Sequence, residues 1–154
     1  MKMSLVIMLS LIFVFLVAAV AQNFQPTHVF EITINKPYSE VWNWFSNPLT
    51  YEKIYPHWVK SIQQLDATRY HIDDQFGGSY DVKLVADKSS GVVDLMIGKE
   101  SSRIRLIDLD GRRTVVIHFT KRWENNGFIS WFLHKLTTKR DFWNAKKVIE
   151  QTPT

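Results

Sequence analysis

Residues 127–151 read GFISWFLHKLTTKRDFWNAKKVIEQ. Phe128, Ile129, Trp131, Phe132, Leu133 and Leu136, followed by Phe142, Trp143, Ala145, Val148 and Ile149, approximate an apolar stripe of helical period. A stripe this wide needs a large apolar partner surface. The chain from Arg69 to Trp123 supplies one, because it reads as short strands separated by turn residues, enough for a sheet folded across the helix.

Three lysines interrupt the stripe. In one unbroken helix at about 100° per residue, Lys135, Lys139 and Lys146 fall close together on the Phe and Trp face, and buried unpaired ammonium groups are not tolerable. Three readings answer this. The helix breaks near Thr137-Thr138, where Thr138 with Asp141 three residues on resembles a helix start; or the stems lie on apolar surface while the heads reach water; or one lysine meets the head group of an anionic amphiphile.

At the other end of the chain, a lone Lys2 precedes an apolar run from Leu5 to Ala21, broken only by Ser10 and ending Ala19-Val20-Ala21. This is the pattern of a secretory signal peptide with Gln22 as the mature N-terminus, an uncleaved membrane anchor being the alternative. Either way residues 1–21 lie outside the fold and the domain is expected outside the cytoplasm; if they are kept as an anchor, membrane association runs through them. Residues 22–154 suit a single domain that buries roughly two-thirds of its unfolded surface. With no cysteine in the chain, such an exported domain stands on its core without disulfides. The formal net charge of +4 is mild, and the basic residues accompany no nucleic-acid-binding motif, so nucleic acid is not an expected partner.

His28 to Ile34 alternates as a strand, with Phe30, Ile32 and Ile34 on one face. Pro37 suits the first turn of a helix, Asn47-Pro48 is a second helix start and Pro56 closes it, giving two short helices in tandem. Six strands follow near 60–65, 69–73, 79–86, 92–97, 101–109 and 112–123, close enough in sequence to pair antiparallel. Asp110-Gly111 between two alternating runs is the strongest hairpin signal. Asn125-Asn126-Gly127 then releases the chain into the last helix.

Ile34-Asn35-Lys36-Pro37-Tyr38-Ser39-Glu40-Val41-Trp42, Ser46-Asn47-Pro48, Tyr51 and Tyr55-Pro56-His57-Trp58-Val59 resemble the opening of the START and polyketide-cyclase (SRPBCC) superfamily. Gly91-Val92-Val93-Asp94-Leu95 and the hairpin at Asp110-Gly111 resemble its later strands, so the similarity runs from about His28 to Ile149. The resemblance implies an α+β helix-grip fold: a curved seven-stranded antiparallel sheet around a long C-terminal helix, two short helices between the first two strands, and a cavity between sheet and helix. These motifs are structural and nearly silent on activity.

Strand parity nominates the residues facing that cavity: Tyr80, Val82 and Leu84; Val93, Leu95 and Ile97; Ile104 and Leu106; and, in the last strand, Val115, Ile117 and Phe119, with Thr114, His118 and Thr120 opposite. The helix adds Phe132, Leu136, Lys139, Phe142 and Trp143. Together they predict a site for a hydrophobic or anionic amphipathic small molecule. A polyketide-cyclase-like enzyme using polar pocket residues such as Tyr80 is one alternative, and an envelope or stress interaction protein with a filled core is another. Catalytic signals are weak: there is no cysteine nucleophile, nucleophile elbow or glycine-rich phosphate loop, and His71 with Asp73 and Asp74 reads as turn chemistry before it reads as a metal site. No cofactor or metal is expected.

Overall fold

The structure is a computed structural model that describes residues 7–8, 10–14, 27–98, 100–121 and 128–153, with backbone only at 128 and 129. The expected cleavage point at Ala21, the strand end at Arg122-Trp123 and the turn Asn125–Gly127 lie outside the described residues.

The first strand, β1 (Thr27–Ile34), leads into α1 (Tyr38–Phe45), a single 3-10 turn (Pro48–Thr50) and α2 (Tyr51–Ile54). Glu40 and Val41 N–H both donate to the Pro37 carbonyl, so Pro37 sits immediately before α1. The Asn47 side chain accepts from Leu49 N–H at 3.2 Å with Pro48 at the first helical position, as the Asn-Pro pair predicts.

Six strands follow: β2 (Val59–Gln64), β3 (Arg69–Asp74), β4 (Ser79–Asp87), β5 (Val92–Ile97), β6 (Glu100–Asp108) and β7 (Thr114–Lys121). Every neighbouring pair is antiparallel, and the spatial order is β1-β7-β6-β5-β4-β3-β2. The first strand therefore closes on the last. The β6–β7 hairpin is held by Asp110, whose Oδ1 accepts Arg113 N–H at 2.9 Å and Arg112 N–H at 3.1 Å, with Gly111 at φ 72°.

The last element, α3 (Phe128–Gln151), is one continuous helix. The break expected at Thr137-Thr138 is absent, and Thr138 is instead buried mid-helix. Its inward positions are Trp131, Thr138, Asp141, Phe142, Ala145 and Ile149, spaced by three, four or seven residues apart from the Asp141-Phe142 step. Phe142 is the centre of packing. Its ring lies 5.6 Å from Phe30, 6.0 Å from Phe45, 5.6 Å from Tyr55 and 5.0 Å from His118. One side chain thus joins β1, α1, the segment after α2, and β7.

The lysine problem resolves by snorkelling. Lys146 reaches out to donate to the Thr33 carbonyl and pairs with Glu150 at 3.3 Å, and Lys135 lies over the Trp131 ring, 5.4 Å from its centroid. Lys139 is exposed.

Strand parity holds in β4, β5 and β6, where Val82, Val93, Leu95, Ile104 and Leu106 are buried. In β7 it is reversed. Thr114, Val116, His118 and Thr120 face the helix and are buried, whereas Phe119 is exposed and Ile117 lies on the outer face with it. Register explains the reversal: Ile104 pairs with His118 and Leu106 with Val116, and directly paired residues share a face. The same holds across β1, where Phe30 pairs with His118 and Ile32 with Val116.

Candidate functional site

A cavity of about 470 Å³ separates the inner face of the sheet from the N-terminal half of α3. Tyr55 and Trp58 come from the segment joining α2 to β2; Asp74, Phe76 and Tyr80 from around the β3–β4 turn; and Leu95, Ile97, Ser102 and Ile104 from β5 and β6. His118 and Thr120 of β7 complete the sheet side, and Ser130, Leu133, His134, Thr137, Thr138, Asp141 and Phe142 form the helix side. The size falls in the range of small-molecule sites, roughly 300 to 1,000 Å³. The core here is hollow at one end.

Of the residues nominated from sequence, Tyr80, Leu95, Ile97, Ile104 and Phe142 line the cavity. Val82, Val93 and Leu106 are buried in the packed core beside it, and Leu84 is half-buried against that core. Ile117 and Phe119 face away on the outer side of β7. Phe132, Leu136, Lys139 and Trp143 form the outer face of α3, with Trp143 53% exposed. The lysine assigned to an anionic head group is therefore not in the wall. Among the described lining residues there is no Lys or Arg, while Asp74 and Asp141 are both present.

Sequence reasoning missed the polar part of the wall. His118 is 6% exposed, and its Nε2 lies 2.6 Å from the Ser102 hydroxyl, while Nδ1 has no hydrogen-bond partner among the described residues. Burial, then the neighbouring His134 and His28, push its pKa down to about 3. His134 stacks on Trp131 at 5.4 Å, and burial with His28 beside it pushes its pKa down to about 4. His28 is lowered too, by burial and by Lys135. Burial thus favours the neutral form of all three imidazoles.

The Tyr55 hydroxyl is buried with no hydrogen-bond partner among the described residues, and burial raises its pKa well above the ordinary tyrosine value, helped by Tyr51 and Asp141. Tyr80 Oη accepts from Trp58 Nε1 at 2.6 Å, and burial raises its pKa as well. The Asp141 carboxyl is pushed up by burial, an effect opposed by the hydrogen bonds from His57. Asp74 is engaged in its own turn, accepting Gly78 N–H at 2.7 Å and Phe76 N–H at 2.8 Å. The wall therefore offers hydroxyl and neutral imidazole groups around an apolar floor.

His71 lies on the outer face of the sheet, with Nδ1 2.7 Å from Asp81 Oδ1 and Nε2 2.9 Å from Ser79 Oγ, and Asp73 at 3.6 Å. Among the described residues no group of three or more His, Cys, Asp or Glu side chains is placed to hold a metal.

No protein-family model matches the sequence, and no curated protein matches it. Solved structures do. A START superfamily protein from Mycobacterium smegmatis superposes with a TM-score of 0.68 at 12% identity, over 81% of this chain and 97% of that one. The ZhuI aromatase/cyclase from a Streptomyces species gives 0.64 at 16% identity, over 81% and 93%. The protein XoxI from Bacillus cereus gives 0.69 at 11% identity, over 82% and 97%. At these identities the likeness is one of fold.

Proposed function

We propose that this chain, which has the helix-grip fold shared with START-like proteins and aromatase/cyclases, binds a neutral amphipathic small molecule between its sheet and C-terminal helix. The observation that carries the reading is the chemistry of the cavity wall. Leu95, Ile97, Ile104 and Phe142 supply an apolar bed, and Ser102, Thr120, Thr137 and Thr138 supply hydroxyls. The only charge-bearing side chains in the described wall are carboxylates, apart from histidines held neutral. A ligand carboxylate or phosphate would meet no countercharge there and would lose its hydration. An alcohol, phenol or carbonyl keeps its hydrogen bonds.

The test is displacement of the neutral dye Nile red from the purified domain, alongside native mass spectrometry for a co-purified ligand. Dodecanol should displace the dye at lower concentration than dodecanoate. Equal or better displacement by dodecanoate would sink the preference for neutral ligands. Absence of both dye binding and co-purified ligand would sink the binding function itself.

A second reading, an enzyme of the aromatase/cyclase kind, draws on the Tyr55 hydroxyl and His118 Nδ1, buried next to the cavity without hydrogen-bond partners among the described residues. Buried polar atoms in that condition cost stability, and substrate contacts would relieve the cost. Turnover of an aromatic polyketide that disappears in Tyr55→Phe, with Nile red binding retained, would favour the enzyme. The apolar run Leu5–Ala21 supports placing the domain outside the cytoplasm. Protease protection of the expressed chain in intact cells and spheroplasts tests that placement.

A further inference from the structure

The outer face of the sheet, on the side of β3 and β4 away from the cavity, carries a second cluster of reactive groups. Asp74 N–H donates to the Gly78 carbonyl at 2.8 Å, which makes these two a hydrogen-bonded pair of the β3–β4 ladder. The pairs then alternate, so Asp73 with Ser79 and His71 with Asp81 are non-hydrogen-bonded pairs, the kind in which side chains approach most closely. Two such pairs in succession on one face bring a hydroxyl, an imidazole and a carboxylate together. Asp81 Oδ1 lies 2.7 Å from His71 Nδ1, and Ser79 Oγ lies 2.9 Å from His71 Nε2. An ionised carboxylate accepts and does not donate, so Nδ1 carries the hydrogen and Nε2 turns its lone pair on the serine hydroxyl. The order is that of an activated serine nucleophile, with a base beside it and a third group orienting the base. Ser79 and Asp81 are exposed, and the His71 side chain is 37% exposed, so a reactant reaches all of it from solvent.

The surroundings set the protonation state. Asp73 is a second acceptor for the Ser79 hydroxyl, also holds Ser61 Oγ at 2.8 Å, and lies 3.6 Å from His71 Nε2. The hydrogen bond to Asp81, then the charges of Asp73 and Asp81, raise the His71 pKa against a smaller opposing effect of burial. Lys60 beside Asp73 and Arg69 beside Asp81 are the cations facing the cluster. Below its pKa the imidazolium donates to Ser79 and the hydroxyl turns to Asp73; above it the hydroxyl donates to Nε2. The backbone adds a donor for a developing oxyanion. In a non-hydrogen-bonded pair Ser79 N–H points away from β3, and among the described residues β5 pairs with β4 only from Lys83 onward, so neither ladder uses it. Such a donor is worth about 10²- to 10³-fold in rate, so a site with one backbone donor is slow and needs a leaving group that departs readily.

We infer that Ser79, His71 and Asp81 form an esterase site on the outer face of the sheet, acting on activated carboxylic esters such as aryl esters. Ser79 Oγ bonds to the ester carbonyl carbon while its proton passes to His71 Nε2. The carbon–oxygen bond to the leaving group then breaks, and the alcohol or phenol leaves with that proton, giving acyl-Ser79. Water attacks the acyl carbon, yields its proton to Nε2, and the acid departs as the proton returns to Ser79 Oγ. Asp81 is the positioning residue, fixing the tautomer and orientation of the imidazole. The inference is independent of what the cavity binds, because the two sites lie on opposite faces of the sheet.

The test is hydrolysis of p-nitrophenyl acetate by the purified protein, with a fluorophosphonate probe mapped by peptide mass spectrometry. The rate should rise with pH through the His71 pKa and level off, and the phosphonate should be found on Ser79. Ser79→Ala and His71→Gln should each lower the plateau by about tenfold or more, with urea midpoints near that of the parent. Asp81→Asn should lower the plateau and move the midpoint of the pH profile to lower pH, since it removes the largest cause of the raised pKa. Full activity in Ser79→Ala with loss in His71→Gln would mean that the imidazole itself attacks the ester, and would overturn the serine mechanism. Phosphonate on another residue, or on none, would overturn the site. An unchanged pH midpoint in Asp81→Asn would remove Asp81 from it.

Discussion

Asp141 Oδ1 lies 2.7 Å from His57 Nδ1 and 2.9 Å from the backbone N of the same residue, a contact between positions 84 apart in sequence. One carboxylate thereby ties the middle of α3 to the segment between α2 and β2 from which Tyr55 and Trp58 reach the cavity. Asp141 is 2% exposed, and a hydrogen bond to a charged group contributes about 1.5 to 3 kcal/mol. Asp141→Ala should lower stability by about 2 to 4 kcal/mol in urea denaturation at neutral pH. Asp141→Asn, which keeps an acceptor oxygen, should lose less than half as much. Equal losses in the two variants would mean that packing, not the tie to His57, holds Asp141 in place.

The fold was legible where a strand buries one face against a purely apolar layer. Val82, Val93, Leu95, Ile104 and Leu106 all point where their alternation places them. It was illegible in β7 because the inner face there carries Thr114, His118 and Thr120, polar residues that a hydrophobicity criterion assigns outward. The information was nevertheless in the chain: the hairpin at Asp110-Gly111 sets Asp108 opposite Thr114, and counting back places His118 opposite Ile104, on the inner face. The helix misled for the same reason. Its inner face mixes His134, Thr138 and Asp141 with the aromatics, while Phe132, Leu136 and Trp143 are turned outward, so the most apolar stripe is not the gripped one.

The buried histidines make stability depend on pH in a defined direction. A folded pKa below the ordinary histidine value of 6.5 means the unfolded chain binds the proton more readily, so the stabilisation is complete above pH 6.5 and is lost as pH falls toward the folded values, about 3 for His118 and about 4 for His134. For His118 alone the loss is on the order of 4 kcal/mol across that window. Urea midpoints should fall from pH 7 to pH 4. His118→Gln, with no proton to take up, should show a shallower slope; an unchanged slope would place the dependence elsewhere.

Phe142 and Trp143 are adjacent in sequence and opposite in consequence. Phe142→Ala removes the ring that Phe30, Phe45, Tyr55 and His118 surround and should cost about 3 to 5 kcal/mol. Trp143→Ser, on the exposed outer face, should stay within about 0.5 kcal/mol of the parent. Thermal denaturation of both distinguishes the inner face of α3 from the outer one. A large loss in the Trp143 variant would mean that the outer stripe is covered in solution.

Gly91 stands in the β4–β5 turn at φ 70°, with its carbonyl accepting Leu106 N–H at 2.7 Å. A Cβ there would lie 2.3 Å from the Leu106 carbonyl oxygen, a backbone atom that cannot turn aside. Both the left-handed backbone and the overlap oppose a side chain. Gly91→Ala should therefore destabilise by more than about 1 kcal/mol, measured by chemical denaturation, with β6 amides near Leu106 losing hydrogen-exchange protection first.

Ile97 offers the cleanest separation of binding from folding. It closes β5 at the cavity end of the sheet, lines the cavity and is only half-buried, so a larger ring there can extend into the void without displacing packed core. Overpacking a filled core typically costs about 1 to 3 kcal/mol, and Ile97→Trp should fall below that range because the space it enters is empty. Nile red affinity should drop by about tenfold or more, the equivalent of roughly 1.4 kcal/mol. Retained affinity with unchanged stability would show that the dye does not occupy the cavity. Loss of both would show that Ile97 is core and not wall.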